Sequence, residues 1–559
     1  MKKLLIILLL LVFFVFGQEN IVEAQNDSYN FEYNLIPVEL LSVMQKQEKI
    51  INKNIYNESL LTLPYPIIFI HGLDGGFSSW DGFYNDLDNW GFSFGGFLDF
   101  CLNSYDISSM QDYCNLNYDI NDLTSGLSNG NYYIIDFDCD PLICDGSGST
   151  VRSDKAAITL GGRGVGVAID HVLNVTGKDK VILICHSMGG LNAREYLQND
   201  YHWQGNNHHR VAKLITSGTP HGGSNFTLYG LLLEWSEAIR DLRRSYYAGT
   251  GIPGAYLYGN TFEDHIYINN GSGPGFITNY YNVDINCNGQ EQEWVVGLNQ
   301  KSLPDDLGFA CISSDYFGNG SDGVVGPYYA DLSNYYPQQT TLLELFDASS
   351  YVHSSQFSQS GNISTLTEAD YINFKAMDEP EYFSLAYKVD LGINYKGFFT
   401  YQDVNHPFLS WGKDLDSYYF YVNQTSNISI VVNNLSSNGK VELYDYTLNN
   451  INNLLAYSQS NASGYASIQL QLNPGKHYID ISGDAYGNPA NGSPPPWDNP
   501  YNFIVTGSSI SSNFEVQNVI EKKLIKITNI LGEEIPAQFN IPLLYIYDDG
   551  TVEKKIIID

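Results

Sequence analysis

Val181-Ile-Leu-Ile-Cys-His-Ser-Met-Gly-Gly190 constrains this chain more than any other stretch. Its unbroken apolar run reads as a strand buried on both faces, and such strands belong to sheets covered by helices. The run breaks at small residues around Ser187 and resumes as the helical segment Leu191-Asn-Ala-Arg-Glu-Tyr-Leu197. A serine on such a strand-to-helix turn sits on strained backbone with its hydroxyl pushed into a cleft, and the helix N-terminus behind it favours developing negative charge. Of the pattern Gly-x-Ser-x-Gly, Gly189 supplies the second glycine. Cys185 stands where the first is expected; the close approach of strand and helix asks for a small side chain there, and cysteine is small, at a cost in strain.

Ahead of this turn, Pro64-Tyr-Pro-Ile-Ile-Phe-Ile-His-Gly-Leu-Asp-Gly-Gly76 is a short apolar strand ending in a glycine-studded loop. Attack of a serine on an ester builds an oxyanion, and a glycine-rich loop lets main-chain N–H groups come close enough to stabilise it. His71, just before that loop, reads as a brace that hydrogen-bonds it in place rather than as a proton carrier. Helical character over Ser153 to Val175, a turn at Lys178-Asp-Lys180 and a strand from Arg210 to Thr216 complete a strand, helix, strand rhythm. That rhythm makes the expected class of this domain α/β.

The chain has 559 residues, too many for one ordinary core, and 43% hydrophobic residues with 14% aromatics mark it as globular. Its net charge of -34 argues against a nucleic-acid partner, because phosphate binding needs clustered Lys and Arg; a solvated acidic surface is the plainer reading. Met1-Lys-Lys3, the apolar run Leu4 to Phe16 and Gly17 read as a signal peptide over 1–17, too short for a comfortable membrane span. Residues 18–60 are a polar extension with a helical patch near Leu40 to Ile51 and no assigned function. Proximity pairs Cys101 with Cys114, Cys139 with Cys144 and Cys287 with Cys311, although sequence does not fix pairing, and leaves Cys185 as a packed hydrophobe. Residues 77–150 read as an elaborated connection between early strands, stapled by such bonds. No Cys/His spacing resembles a zinc site.

Ser217-Gly-Thr-Pro-His-Gly-Gly-Ser224 follows the Arg210 strand. Together with Ile67-Ile-Phe-Ile-His-Gly-Leu-Asp-Gly75, Cys185-His-Ser-Met-Gly-Gly190 and Arg194-Glu-Tyr196 it resembles secreted bacterial triacylglycerol lipases of the α/β-hydrolase fold, over roughly residues 60 to 360. The resemblance implies backbone N–H donors at Leu73 and Met188, and makes His221 a loop residue rather than a catalytic base. The acid and the histidine should follow Ser187 in that order. Asp322, in Gly320-Ser-Asp-Gly-Val-Val-Gly326, resembles the acid-bearing Asp-Gly-Val/Leu-Val segment, and His353 is the only histidine between it and the next domain. Asp305, Asp306, Asp315 and Asp331 compete for the acid position. In this constellation His353 takes the proton from Ser187 and Asp322 orients the imidazole. Ser355 stands where related lipases place a calcium-binding aspartate, so no metal and no cofactor is expected. Leu228, Leu231, Leu232, Trp235, Ile239 and Leu242 share one helical face, with Glu234, Glu237, Arg240, Asp241, Arg243 and Arg244 mostly elsewhere. The pattern reads as an amphipathic helix or an ordinary packed one; the resemblance implies a lid at this place, one that would cover an acyl pocket or meet a lipid interface transiently.

With the hydrolase domain set at 61–375, alternating runs such as Tyr418 to Val422, Ile428 to Val432, Val441 to Tyr444, Ile468 to Leu472, His477 to Ile481 and Tyr501 to Val505 signal an antiparallel sandwich over 385–510. Its Tyr-Tyr-Phe strand and Asn473-Pro-Gly-Lys-His-Tyr-Ile479 resemble pre-peptidase C-terminal domains. Residues 514–559, with Lys522 to Glu534 and Leu544 to Lys555, resemble the sorting domain of the Bacteroidetes type IX secretion system, which would make that machinery a partner and the cell surface or exterior the destination; from the residues alone this is a small β module with an Asp549-Gly550 hairpin turn. The function expected is cleavage of carboxylic esters, of lipase type on an ester or lipid substrate. The alternatives are a short-chain esterase, phospholipase or polyester hydrolase, and, from another class, an inactive surface-binding protein.

Overall fold

The computed structural model describes residues 62–102, 120–137, 153–224, 237–313, 322–347, 378–399, 413–509, 524–529, 542–547 and 552–556, with internal segments of these spans left out. Residues 1–17, read above as a signal peptide, the 18–60 segment, His353 and Asp315 lie outside the described residues.

The hydrolase sheet is built from β1 (Ile67–Ile70), β2 (Phe94–Cys101), β3 (Asn121–Asp122), β4 (Tyr132–Asp136), β5 (Val181–His186), β6 (Val211–Ser217), β7 (Gly308–Ser313) and β8 (Leu343–Asp347), in the spatial order β8-β7-β6-β5-β1-β4-β2-β3. All neighbours pair parallel except the two-residue edge strand β3. β1 lies between β5 and β4, so the strand order reverses around it, and the loops leaving β1 and β5 emerge side by side at one end of the sheet. That is where open α/β sheets form clefts. The domain is of the α/β-hydrolase type.

Alternation along the strands sorts the core into two faces. Ile68, Ile70, Leu183, Cys185 and Cys311 face a cluster with helix α1 (Ile158–Thr176) and helix α2 (Met188–Gln198), which contribute Leu160, Val165, Ile169, Ala193 and Tyr196. The helices come unusually close: a Cβ on Gly161 would meet Asn192 at 2.5 Å, and one on Gly162 would meet Glu195 Cγ at 2.5 Å. Only glycine permits that approach.

The opposite face, with Ile67, Phe69, Ile134, Ile184 and Ile215, belongs to one apolar cluster that continues into the sandwich through Tyr387, Val389, Tyr395 and Phe398. The sandwich has a five-stranded sheet, β9 (Tyr387–Lys388), β11 (Lys413–Val422), β16 (Gly475–Asp484), β13 (Lys440–Thr447) and β14 (Asn450–Gln459), in that spatial order. Facing it is a four-stranded sheet, β10 (Asn394–Gly397), β17 (Tyr501–Ser509), β12 (Ser426–Asn433) and β15 (Ala466–Leu472). It is docked on the hydrolase rather than tethered to it. The Lys388 N–H donates to Tyr65 Oη at 2.9 Å, Lys396 N–H to Thr62 O at 3.3 Å, Lys213 Nζ donates to Asp378 O, and Lys388 pairs with Asp179 at 3.6 Å. The C-terminal strands β18 (Leu524–Thr528), β19 (Pro542–Tyr547) and β20 (Val552–Ile556) form a separate antiparallel sheet in which β19 pairs with both others; the Asp549-Gly550 turn lies outside the described residues.

Two sequence expectations change. Cys311 is a buried free thiol in β7, packed in the helix-side core, so the pairing of Cys287 with Cys311 is not made; Cys287 is bonded to a different cysteine. The other two pairs include residues outside the described ones. Part of the polar side of the Leu228–Leu242 pattern is buried. In the short helix α3 (Glu237–Asp241), Glu237, Arg240 and Asp241 are buried together with Ala238 and Ile239. Glu237 Oε2 accepts the Ala157 N–H at 3.2 Å and Asp241 Oδ2 the Ile158 N–H at 3.0 Å, so these carboxylates cap the first turn of α1. Orphan N–H groups and the helix dipole both reward acids there. The preceding residues 225–236 lie outside the described residues.

Within the sandwich, burial pushes the Asp480 carboxyl up to about 7, against its hydrogen bond from Ser417 Oγ at 2.7 Å. Between the unfolded value near 3.8 and this folded value, the folded state keeps a proton that the unfolded state has lost. Stability therefore falls as pH rises through that window and stays lowered above it. Asp480→Asn, which retains an acceptor for Ser417, should raise the thermal midpoint relative to the parent at about pH 8 and lose that advantage near about pH 4, as followed by differential scanning calorimetry.

Candidate active site

Strand register builds the site. Ile70 of β1 pairs with Cys185 of β5, which puts the two following positions, Gly72 and Ser187, level where both strands end. A Cβ on Gly72 would lie 2.7 Å from Ser187 Cβ and 3.3 Å from Ser187 Oγ. The loop backbone is thus in contact with the serine, and no larger residue fits.

Ser187 has φ +50° and ψ -125°, a positive-φ conformation adopted by four non-glycine residues among those described. Such strain persists only where the surroundings over-determine it. Here the Ser187 N–H donates to Ser217 O at 2.9 Å, Gly190 N–H donates back to Ser187 O at 3.1 Å, and α2 begins at Met188. Behind the turn, a Cβ on Gly189 would meet the carbonyl oxygens of Ile70 and His71, both at 2.5 Å. Cys185, the irregular position, is fully buried in the helix-side core, and desolvation pushes its thiol well up. It behaves as a small apolar side chain.

The two expected oxyanion donors lie on either side of this contact. Leu73 follows Gly72, and its side chain packs on the cluster that holds Met188. Met188 occupies the first position of α2, where an N–H has no intrahelical acceptor. Its neighbours hold the helix rigidly. Glu195 accepts from Asn199 Nδ2 at 3.0 Å and from Tyr256 Oη at 2.7 Å, and pairs with His202 at 3.2 Å. Burial opposes ionisation of Glu195, but the His202 bond and the Lys301 charge bring it down to about 2. Arg194, fully buried, donates to Gln198 at 2.8 Å, to Asn299 and Tyr336 at 2.9 Å, and approaches His221 Nδ1 at 3.3 Å. Desolvation first, and then the Arg194 charge, lower His221 well below the usual histidine range, and its Nε2 faces Thr216 Oγ1 at 3.2 Å. These bonds make His221 a framework residue, as its place in the loop implies.

Asp322 is buried in the loop after β7, at the same end of the sheet as Ser187. Its Oδ1 accepts the N–H groups of Val324 at 2.9 Å and Val325 at 2.7 Å. Ser224 Oγ donates to Val324 O at 2.6 Å, which ties this turn to the loop leaving β6. Three of the four competing acids are among the described residues, Asp315 being outside them. Asp305 and Asp306 precede β7, at the opposite end of a parallel sheet, and Asp331 caps a helical turn through Ser333. The structure therefore brings together Ser187, Gly72, Leu73 and Met188, and places Asp322 at the same sheet end; His353 falls outside the described residues.

Sequence reading missed the group formed by His208, His209 and Asp306, whose possible ligand atoms lie within 4.8 Å of one another. It is bonded by protons. The Val211 N–H donates to His209 Nδ1 at 3.3 Å, which leaves the ring proton on Nε2, 2.8 Å from Asp306 Oδ1. Lys180 Nζ sits 3.4 Å from Asp306 Oδ2. Adjacent histidines on a loop, and an acid about a hundred positions later, carry no spacing signal.

Residues 64–252 match the family model described as a PGAP1-like alpha/beta domain. Among solved structures the chain is similar to a Bacillus licheniformis lipase, BlEst2, in its propeptide form, at 15% identity over 89% of this chain and 98% of that one with a TM-score of 0.27. It is similar to the lin2722 gene product of Listeria innocua at 14% identity, over 53% of this chain and 89% of that one, TM-score 0.29. The pre-peptidase C-terminal domain of a Bacillus anthracis collagenase aligns at 24% identity, over 23% of this chain and 99% of that one, TM-score 0.16. No curated protein matches the chain.

Two substitutions separate the rigid contacts of the turn from its tolerant ones. Gly189→Ala drives a Cβ into two backbone carbonyls and should cost about 3 kcal/mol or more in urea unfolding. Cys185→Ala, which removes one packed sulfur, should cost about 1 kcal/mol.

Proposed function

We propose that the chain is an exported serine hydrolase that cleaves carboxylic esters, of lipase type. The observation that carries this is the strained Ser187 turn held against the Gly72 loop at the end of two adjacent parallel strands. On this reading His353 takes the Ser187 proton as Oγ attacks the ester carbonyl, and Asp322 orients the imidazole and stabilises its charge. The N–H groups of Leu73 and Met188 receive the oxyanion, the alcohol leaves with the proton from His353, and water then cleaves the acyl-enzyme by the same route. No metal or cofactor takes part. The binding-only alternative drew on Cys185 and on the choice of acid; Cys185 is buried in the core as a small side chain, which suits an intact turn.

The proposal includes a signal peptide at 1–17, a pre-peptidase-like sandwich at 385–510 and a sorting domain at 514–559 that hands the protein to type IX secretion machinery. Cys101 and Cys287, each disulfide-bonded, suit an oxidising compartment. No helix among the described residues is long and apolar enough to cross a membrane.

The purified chain should react with a fluorophosphonate probe at Ser187 and hydrolyse p-nitrophenyl esters. Ser187→Ala should abolish labelling and lower kcat by about 10⁴-fold or more with the thermal midpoint unchanged. An acyl-length series on emulsified substrate assigns the ester: a rate that rises with long chains at an interface marks a lipase, and one confined to short soluble esters marks an esterase. An intact protein that does not label at Ser187 contradicts the hydrolase reading.

A further inference from the structure

We propose that His71 is a positioning residue of the oxyanion hole, holding and polarising the peptide that presents the Leu73 N–H. The proposal rests on the serine-hydrolase reading above and names the side chain that makes its loop competent.

The hydrogen bonds fix which nitrogen carries the proton. The Phe137 N–H donates to His71 Nε2 at 2.9 Å, so Nε2 offers its lone pair and the ring proton resides on Nδ1. Nδ1–H then donates to Gly72 O at 2.8 Å. With both ring nitrogens engaged and the side chain fully buried, His71 has no nitrogen left to exchange a proton with a substrate. That excludes it as a general base and leaves the geometry it imposes.

Gly72 C=O and Leu73 N–H belong to one peptide unit. No peptide among the described residues is cis, and in a planar trans peptide the C=O and the N–H point in opposite directions. A donor that anchors the Gly72 carbonyl on one side therefore aims the Leu73 N–H to the other. Gly75 N–H donates to the same carbonyl at 3.1 Å, so the oxygen is pinned by two donors. Each bond also polarises the next: from the Phe137 amide, through the imidazole, to the Gly72–Leu73 peptide, the donors run in one direction, and such chains strengthen their terminal donor.

The surroundings hold the ring in place. The Phe137 ring packs edge-on at 5.7 Å between centroids, and a Cβ on Gly75 would come within 3.1 Å of His71 Nδ1. Asp136 Oδ1, at 3.9 Å from Nε2, is the acidic group facing the imidazole. The main-chain carbonyl of His71 touches Gly189 in the first turn of α2. One residue thus contacts the elements bearing both donors, and the register Ile70 with Ile135 on one side and with Cys185 on the other aligns β4, β1 and β5 for it.

The test uses the full chain, the variants His71→Ala and His71→Asn, a p-nitrophenyl ester and an alkyl trifluoromethyl ketone, which adds to the serine to give a bound oxyanion. His71→Ala should lower kcat by about 10- to 100-fold with KM within about twofold, and weaken ketone inhibition by the same factor as kcat. His71→Asn, whose amide can still donate to Gly72 O, should recover part of both losses. Should His71→Ala not fold, as judged by thermal unfolding, His71→Asn is compared with His71→Leu in its place. The proposal is overturned if folded variants keep kcat and ketone affinity within about twofold of the parent, if kcat falls while ketone affinity does not, or if Asn performs no better than the apolar substitution. A parent chain that fails to label at Ser187 overturns the hydrolase reading and this proposal together; a parent that labels while the variants behave as the parent overturns this one alone.

Discussion

The site depends on a register: Ile70 beside Cys185 in two adjacent parallel strands. Because side chains alternate and strands rise uniformly, that pairing alone decides that Gly72 and Ser187 leave the sheet level with each other. A one-residue slip would exchange the two buried faces of β1, putting each side chain in the wrong cluster, and carry the loop away from the serine. The slip is prevented by the two-sided burial of both strands, with Ile67 and Phe69 in one apolar cluster and Ile68 and Ile70 in the other. Stability of the sheet and geometry of the site are one problem solved by the same residues.

Much of this was legible in the sequence because its signals are local. The apolar run before Ser187, the glycines at 72 and 189 and the alternating strands of the sandwich each encode their structure within a few residues. The six sandwich runs named from alternation all lie within observed strands, while Asn450–Gln459 was missed because its edge position exposes Leu454, Leu455 and Tyr457 together and leaves little alternation to detect. The burial of Glu237, Arg240 and Asp241 was not legible for a different reason. A helical wheel sorts residues by polarity, yet Glu237 and Asp241 are buried because the N-terminus of α1 supplies N–H donors to them. That pairing spans some eighty positions and leaves no periodic trace. Cys311 is a similar case: proximity in sequence favoured Cys287, yet Cys287 is bonded to another cysteine and Cys311 stays a packed thiol.

The sandwich adds to the hydrolase more than a spacer would. Its apolar residues are continuous with the outer face of the sheet, and Lys213, on the strand that feeds the Ser217–Ser224 loop, reaches across to Asp378 O. Burial, followed by neighbouring carboxylates, pushes Asp416 up, and burial does the same to Glu379, so the acid side chains beneath that contact favour their neutral forms. Burial of this kind is costly unless compensated, which ties the integrity of the interface to the folding of both parts.

The most direct measurement of the central claim is a crystal structure of the chain after reaction with an alkyl phosphonate ester. The account predicts phosphorus bonded to Ser187 Oγ, with the phosphonyl oxygen within hydrogen-bonding distance of both the Leu73 and Met188 N–H groups. A phosphonyl oxygen turned to solvent, or an adduct on any other residue, would contradict it.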